Sequence, residues 1–390
     1  MQVFDLECIF APQSSLLGHA HWGYIPRAVH ERTVRSVSMP GVTIVGSGSF
    51  APGAPVKNQA LTRVMETEDE WIHRRTGIEQ RHFAAEGQGA SDIALEAAKR
   101  ALDNARLQPS DVDYIIFCTM TPDYIFPGSG GLLGAKLGIP GVPALDIRQQ
   151  CAAMPFAFQL ADGLIASSSY KTILVVGAEA HAGFMPWKDW SLLDDGATGR
   201  AEGEVFDLAT RHRGLTVLFG DGAGALVMQK STVDGHGLLI SEVHSDGNAF
   251  DYMYVQAGGF RRRPFFAKDM IDREEQIPTM KGADLFKAAV HRLPEVIRSV
   301  CARTGVDVAD IDVFVPHQAN DRINQAVAKA LGVSEGKVVG NIARYGNTSG
   351  ATIPILVDES LRNGRIKRGD LVCFVALGAG LHWGASLMRI

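Results

Sequence analysis

The sequence predicts an α/β protein made of two similar halves, and three observations predict it. From Val42 onward, short apolar runs rich in β-branched residues alternate with alanine-rich amphipathic stretches, the pattern of strands alternating with helices. The string SDVDYIIFCT at residues 110–119 returns as ADIDVFVPHQ at 309–318, and the helices that follow close on AKLG at 135–138 and AKALG at 328–332. The segment that starts GVPALDIRQQC at Gly141 is matched in layout by GKVVGNIARYGN at Gly336, and each runs on into an apolar strand. An echo at about half the chain length implies two equivalent halves rather than a short-period solenoid. Such halves share a core and bring their strand-end loops to one crevice.

Taken in order, residues 1–38 read as an N-terminal extension, because MPGVTIVGSGS at Met39 looks like the start of a domain. Residues 39–230 form the first half and 231–390 the second. Ser91–Ala105 is a helix with Ser91 as candidate N-cap and Ile93, Ala97, Ala101 and Leu102 on one face. Val112–Met120 and the run KTILVVGAE at Lys171 are buried strands. Between them a helix begins at Cys151, where Pro155 is tolerable in the first turns. Residues 181–213 and 248–280 lack clear periodicity and are too long for simple connections, so they are expected as excursions forming lids, pocket walls or dimer contacts.

Composition narrows the function. A net charge of −5 across 390 residues gives no general affinity for nucleic acid or anionic lipid. No apolar run approaches the roughly 20 residues of a membrane helix. The five cysteines are odd in number and never spaced C-x-x-C, which suggests neither a disulfide framework nor a zinc knuckle and fits a reducing cytoplasm. The first 38 residues do not read as a secretory signal. The only closely spaced histidines, His19 and His21, fall in the extension, so no metal site is expected. Gly46-x-Gly48-x-x-Ala51 and Gly220-x-Gly222-x-x-Ala225 match a loose dinucleotide pattern. The first runs into PGAP and the second into a strand, so neither opens the helix that pattern requires.

Three residues carry candidate chemistry. Cys151 stands where a strand meets a helix, so the positive end of the helix dipole is expected to lower its thiol pKa. A single cysteine is more often a small buried hydrophobe, as expected for Cys118, Cys301 and Cys373. His317 follows the strand DVFVP, and Asn347 lies in YGNTSGAT, the second-half counterpart of the Cys151 loop. Alone, each is an ordinary capping or turn residue. The internal echo brings all three toward one crevice, and Cys with His and Asn partners is an arrangement for nucleophilic acyl chemistry.

The chain resembles the β-ketoacyl-acyl-carrier-protein synthase III family of thiolase-superfamily condensing enzymes. TEDEWIHRRTGIEQRHFA at Thr67, FGDGAGA at Phe219, PHQANDRINQAVAKALG at Pro316, GNTSGATIPILVDE at Gly346 and GAGLHWGASLMRI at Gly378 carry the resemblance, over about Met39 to Ile390. It implies a thiolase fold of five layers, αβαβα, in a homodimer. It also implies that Cys151 attacks an acyl-CoA, with the oxyanion held by backbone N–H groups of Cys151, Ala379 and Gly380. His317 and Asn347 would then donate to the thioester oxygen of malonyl-acyl-carrier protein as CO₂ leaves and the enolate attacks the acyl-enzyme. Trp71, Arg75 and Arg213 correspond to residues that bind the nucleotide of CoA. Phe126 matches an aromatic residue that reaches into the partner's acyl pocket. Lys287 and Arg322, with the run Arg261–Arg263, correspond to a patch for the acidic carrier protein. No cofactor is implied beyond CoA and carrier-bound phosphopantetheine as substrates.

The chain departs from the family pattern at Ala283, at Ala379 in the oxyanion loop, and at Gln149, Gln150, Met154 and Phe156 around the nucleophile. With the two excursions, these departures point to a primer longer than acetyl. Transfer to a different acceptor, or a non-catalytic subunit of the same fold, are the competing readings.

Overall fold

The computed structural model describes residues 41–167 and 169–390. The expected extension, with Cys8 and the His19/His21 pair, lies outside the described residues. Strands Val42–Phe50, Gly222–Lys230, Thr172–Glu179, Tyr114–Cys118 and Ala144–Ile147 lie side by side in that order. The last three are parallel, and Gly222–Lys230 is antiparallel to both its neighbours. A second sheet orders Gly237–Ser245, His382–Arg389, Leu371–Gly378 and Val313–Pro316. There too the last two are parallel and His382–Arg389 is antiparallel to both neighbours. Val338 adds a single parallel bridge to Phe314 at the place Ala144–Ile147 occupies in the first sheet. The sheets therefore share strand order and direction, which is the structural form of the sequence echo.

Helices Ala153–Ala166 and Thr352–Arg362 lie between the sheets. Their apolar faces share one core with Ile116, Val175 and Leu226 of the first sheet and Val315, Val372 and Phe374 of the second. Ala90–Ala105 covers the outer face of the first sheet, meeting Ile115, Phe117 and Leu174. Gly282–Thr304 covers the second, with Phe314, Cys373 and Val375. The result is five layers, αβαβα. Successive strand residues point to opposite faces, and here both faces are covered. That is why the central strands read as unbroken apolar runs rather than alternating ones.

Ala90–Ala105 starts one residue earlier than expected and is capped by Gly89, not Ser91. The Ser91 hydroxyl is drawn instead to Asp123, 2.8 Å away. The strand glycines that face this helix are required by contact. A Cβ on Gly48 would lie 2.4 Å from the backbone nitrogen of Ala101, and one on Gly46 2.4 Å from its carbonyl oxygen. The glycines of that motif thus serve close strand–helix packing.

The excursions contain short elements that periodicity does not reveal. The first holds helical turns at His181–Phe184 and Trp190–Leu193 and the helix Gly203–Arg211. The second holds a ribbon pairing Met253–Tyr254 with Thr279–Met280. They meet at Glu274, which accepts from Arg211 at 2.5 Å and from His212 at 2.7 Å. Within the run Arg261–Arg263, Arg262 pairs with Glu275 and Asp269 inside the second excursion.

Candidate active site

Cys151 lies in the turn Gln150–Ala152 that links strand Ala144–Ile147 to helix Ala153–Ala166. His317 directly follows strand Val313–Pro316, its N–H donating to the Val375 carbonyl at 2.8 Å. Asn347 forms a bridge to Phe219, donating its N–H to Leu218 at 2.8 Å. One turn, Ser349–Ala351, and the helix it opens draw these three residues together. The Cys151 thiol reaches the Ser349 hydroxyl at 3.4 Å. The Ser349 N–H donates to Asn347 Oδ1 at 2.8 Å, which leaves the amide nitrogen of Asn347 as the end that can donate to substrate. Thr352 Oγ1 stands 2.7 Å from His317 Nδ1. His317 and Asn347 are both buried, and His317 Nε2 has no protein partner.

The thiol's acidity runs against the helix-dipole expectation. Burial pushes Cys151 up to about 12; hydrogen bonds from Ser349 and Asn347 hold it back, and the carboxylate of Glu179 adds to the rise. Desolvation of the thiolate outweighs the dipole because the half-buried residue sits in a turn before the helix proper. Burial likewise lowers His317 to about 3, so its ring is neutral at pH 7. The resting site is a neutral thiol beside a neutral imidazole. Alkylation of Cys151 by iodoacetamide is therefore expected to accelerate about tenfold per pH unit from pH 7 to 10 without a plateau. A plateau by pH 8 would contradict this.

Two buried groups were not singled out from sequence. Glu179, at the end of the apolar run KTILVVGAE, accepts from the N–H groups of Met120, Thr121 and Gly350 at 3.0, 3.1 and 3.2 Å, and from the Thr121 hydroxyl at 2.7 Å. An acid closing a fully buried strand was the available signal. His181 donates its N–H to Asp221 at 2.6 Å and stacks on Phe219 with ring centroids 4.6 Å apart. Asp221 belongs to the FGDGAGA string and also accepts from the Ala84 N–H at 2.7 Å.

The guanidinium of Arg75 lies 4.4 Å and that of Arg213 4.9 Å from the ring centroid of Trp71. The three residues predicted to bind the nucleotide thus form one doubly cationic cluster. A cavity of about 1660 Å³ runs from Met120, Gln150, Ala379 and Gly380 outward between the two excursions, past Trp187 and Phe250.

Comparison with known proteins shows the family. The family model for 3-oxoacyl-[acyl-carrier-protein] synthase III matches residues 145–247, and that for its C-terminal part matches 301–390. The chain is 39% identical over 351 residues to the β-ketoacyl-[acyl-carrier-protein] synthase III of Caulobacter vibrioides, covering 89% of this chain and 99% of that protein. It is 36% identical over 346 residues to the same enzyme of Rickettsia canadensis, covering 89% and 98%. The chain belongs to the 3-oxoacyl-[acyl-carrier-protein] synthase III family. The crystal structure of the synthase III from Aquifex aeolicus superposes with a TM-score of 0.76 at 36% identity, covering 90% of this chain and all of that one. That from Thermus thermophilus superposes with 0.76 at 32%, covering 89% and 98%. The protein is accordingly a thiolase-fold condensing enzyme that transfers acyl groups.

Within this synthase III frame, Gly378 ends its strand against the nucleophile: a Cβ there would lie 2.8 Å from the backbone nitrogens of both Cys151 and Ala152. Phe126 is 73% exposed on the rim of the protein, its ring 6.5 Å from that of Phe260. Lys287 and Arg322 are exposed on two packed helices. Asn320, which caps the Arg322 helix, donates to the Arg75 carbonyl at 2.9 Å, tying that helix to the Trp71 cluster. Of the unusual residues near the nucleophile, Gln150 lines the cavity. Met154 turns into the core between the sheets and Phe156 packs against it. Ala283 is exposed at the start of its helix. Among the described residues, no group of three or more His, Cys, Asp or Glu side chains could hold a metal ion. No described helix is long and apolar enough to cross a membrane.

Proposed function

We propose that the enzyme loads an acyl group from acyl-CoA onto Cys151 and condenses it with malonyl-acyl-carrier protein, giving 3-oxoacyl-acyl-carrier protein, CoA and CO₂. The observation that carries this reading is the joining of Cys151, Asn347 and His317 through the single Ser349–Thr352 turn. The Cys151 sulfur attacks the thioester carbonyl. Its oxyanion is met by backbone N–H groups of Cys151 and of the Ala379–Gly380 segment. The His317 ring and the Asn347 amide donate to the thioester oxygen of malonyl-carrier protein as CO₂ leaves, and the carbon of the enolate they stabilise attacks the acyl-enzyme to free the thiol. No resident cofactor takes part; CoA and the carrier's phosphopantetheine enter as substrates.

The Trp71 cluster takes the CoA nucleotide, stacking on the base and pairing with phosphate. Trp71→Ala and Arg213→Ala should each raise KM for acyl-CoA roughly tenfold while leaving kcat within about threefold, the size of one such contact. Equal losses in kcat would remove these residues from the nucleotide site. Lys287 and Arg322 face the acidic carrier protein beside that cluster. The enzyme acts as a cytoplasmic homodimer. Phe126 and its exposed neighbours Tyr124 and Ile125 form the part of the rim that a second copy would cover. The cysteines of the described residues are free, in keeping with a reducing compartment.

The cavity and its aromatic excursion walls support a primer longer than acetyl. Intact-mass spectrometry after incubation with acyl-CoAs of increasing length tests both points. The expected result is one acyl adduct on Cys151, greatest for a chain longer than two carbons. Preferential retention of acetyl would refute the length, and no adduct from any acyl-CoA would refute the reaction.

A further inference from the structure

Ser349 belongs to neither the Cys-His-Asn set nor the substrate clusters, yet its hydroxyl touches the nucleophile. Two sulfurs meet that oxygen, the Cys151 thiol at 3.4 Å and the Met120 thioether at 3.2 Å. A thioether carries no hydrogen and only accepts, so the contact with Met120 takes the single hydrogen of the Ser349 hydroxyl. The thiol is then the donor in the other contact, its hydrogen directed at the Ser349 oxygen. Ser349 is fully buried, so water offers its hydroxyl no third partner.

The oxygen is held in place from both sides. The Ser349 N–H donates to Asn347 at 2.8 Å. The next N–H, that of Gly350, and the N–H of Met120 both donate to the Glu179 carboxylate, at 3.2 and 3.0 Å. One side chain thus sets the spacing between the hydroxyl and the Met120 sulfur. Ser349 also has φ at 45°, a left-handed conformation that a residue other than glycine adopts at a cost and keeps only where its surroundings over-determine it.

Ionisation of the thiol reverses the hydrogen bonds. A thiolate can only accept, and a charged acceptor draws a donor more strongly than a neutral thioether does. The oxygen need not move, because rotation about the Cβ–Oγ bond carries its hydrogen from one sulfur to the other. We propose that Ser349 is a catalytic hydroxyl switch: at rest it accepts the thiol hydrogen and donates to Met120, and once the thiol ionises it turns its own hydrogen onto the Cys151 sulfur. Ser349 stays a neutral alcohol throughout, and the thiol proton leaves to solvent. The switch favours the nucleophilic form at a place where burial opposes it. Its part in acyl loading rests on the condensation reading above; the switch itself does not.

Iodoacetamide reads the switch on the full-length protein without any CoA substrate. The thiolate displaces iodide, and peptide mass mapping gives the rate at Cys151 apart from the other cysteines. At pH 8, Ser349→Ala should react roughly three- to tenfold more slowly than wild type. That is the thiolate lost with a hydrogen bond to a charged group, less the greater intrinsic reactivity of a more basic sulfur. Met120→Leu nearly conserves volume but removes the acceptor that competes for the hydroxyl, and should react about twofold faster. The double variant should match Ser349→Ala alone, because without the hydroxyl Met120 has nothing to hold. A wild-type rate for Ser349→Ala would overturn the proposal. So would an acceleration by Met120→Leu that persists without the hydroxyl, since it would show loosened packing around the sulfur. Unfolding exposes the thiol and speeds its reaction, so a folding defect cannot imitate the slowing.

Single-turnover loading from acyl-CoA, followed by quenched mass spectrometry, reads the consequence. Ser349→Ala should load roughly three- to tenfold more slowly, with the half-saturating acyl-CoA concentration unchanged. Loading at the wild-type rate would overturn the part of Ser349 in acyl transfer. Failure of the wild type to load from any acyl-CoA, with the alkylation pattern as expected, would overturn the condensation reading and uphold the switch.

Discussion

Cys151→Ala gains no acyl mass from any acyl-CoA, and its condensation rate falls by roughly three orders of magnitude or more, the loss expected when a covalent nucleophile is removed. The protein should remain folded, because the thiol's hydrogen bonding is weak, with the Ser349 hydroxyl 3.4 Å away, and alanine fits where cysteine did. Asn347→Ala supplies the complementary result. It keeps Cys151 and the approach for CoA but lacks the amide that bears the enolate, so it should accumulate acyl-enzyme that malonyl-carrier protein fails to discharge. Product formation by Cys151→Ala at a tenth of the wild-type rate would end the covalent mechanism. Discharge by Asn347→Ala at the wild-type rate would remove the amide from the second half-reaction.

Glu179→Ala should lose several kcal/mol of stability without touching a substrate. The carboxylate accepts from three backbone N–H groups, those of Met120, Thr121 and Gly350, as well as from threonine hydroxyls. Hydroxyls can turn to other partners, but buried amides cannot, and each one left unpaired costs about 1–3 kcal/mol. An overall loss of about 3–6 kcal/mol follows, which thermal unfolding should register as a fall in Tm of roughly 5–10 °C. Glu179→Gln keeps one accepting oxygen and should lose about half as much. It carries a second signature, because the Glu179 charge raises the Cys151 thiol. With that charge gone, alkylation of Cys151 at a fixed pH should be faster than in the wild type. A Tm within 1 °C of wild type for the alanine variant, or unchanged alkylation in Glu179→Gln, would contradict the arrangement described.

The fold was legible because its strands are covered on both faces and its topology occurs twice. Val112–Met120 and Lys171–Glu179 could be read as buried strands from apolar continuity alone, and the repeat paired the Cys151 and Asn347 loops. Residue type and loop position were enough to nominate Cys151, His317 and Asn347. Trp71, Arg75 and Arg213 could be named only through resemblance, since Arg213 lies 138 positions beyond Arg75 and no local pattern connects them.

What escaped the sequence depended on partners distant along the chain. Ser91 is not a cap because Asp123 claims its hydroxyl. The Cys151 thiol is weakly acidic because burial, a property of the assembled layers, outweighs the local dipole. Glu179 and Ser349 look ordinary in the string, and their importance arises only where strand ends and turns from both halves meet.

The matching order of the two sheets makes the halves interdependent. Glu179 and Gly378 close corresponding strands of the two halves, and each acts across the boundary. Glu179 holds the Gly350 amide in the second half's catalytic loop, and Gly378 presses on the Cys151 backbone in the first half's. Each half is thus the mould for its sibling's loop.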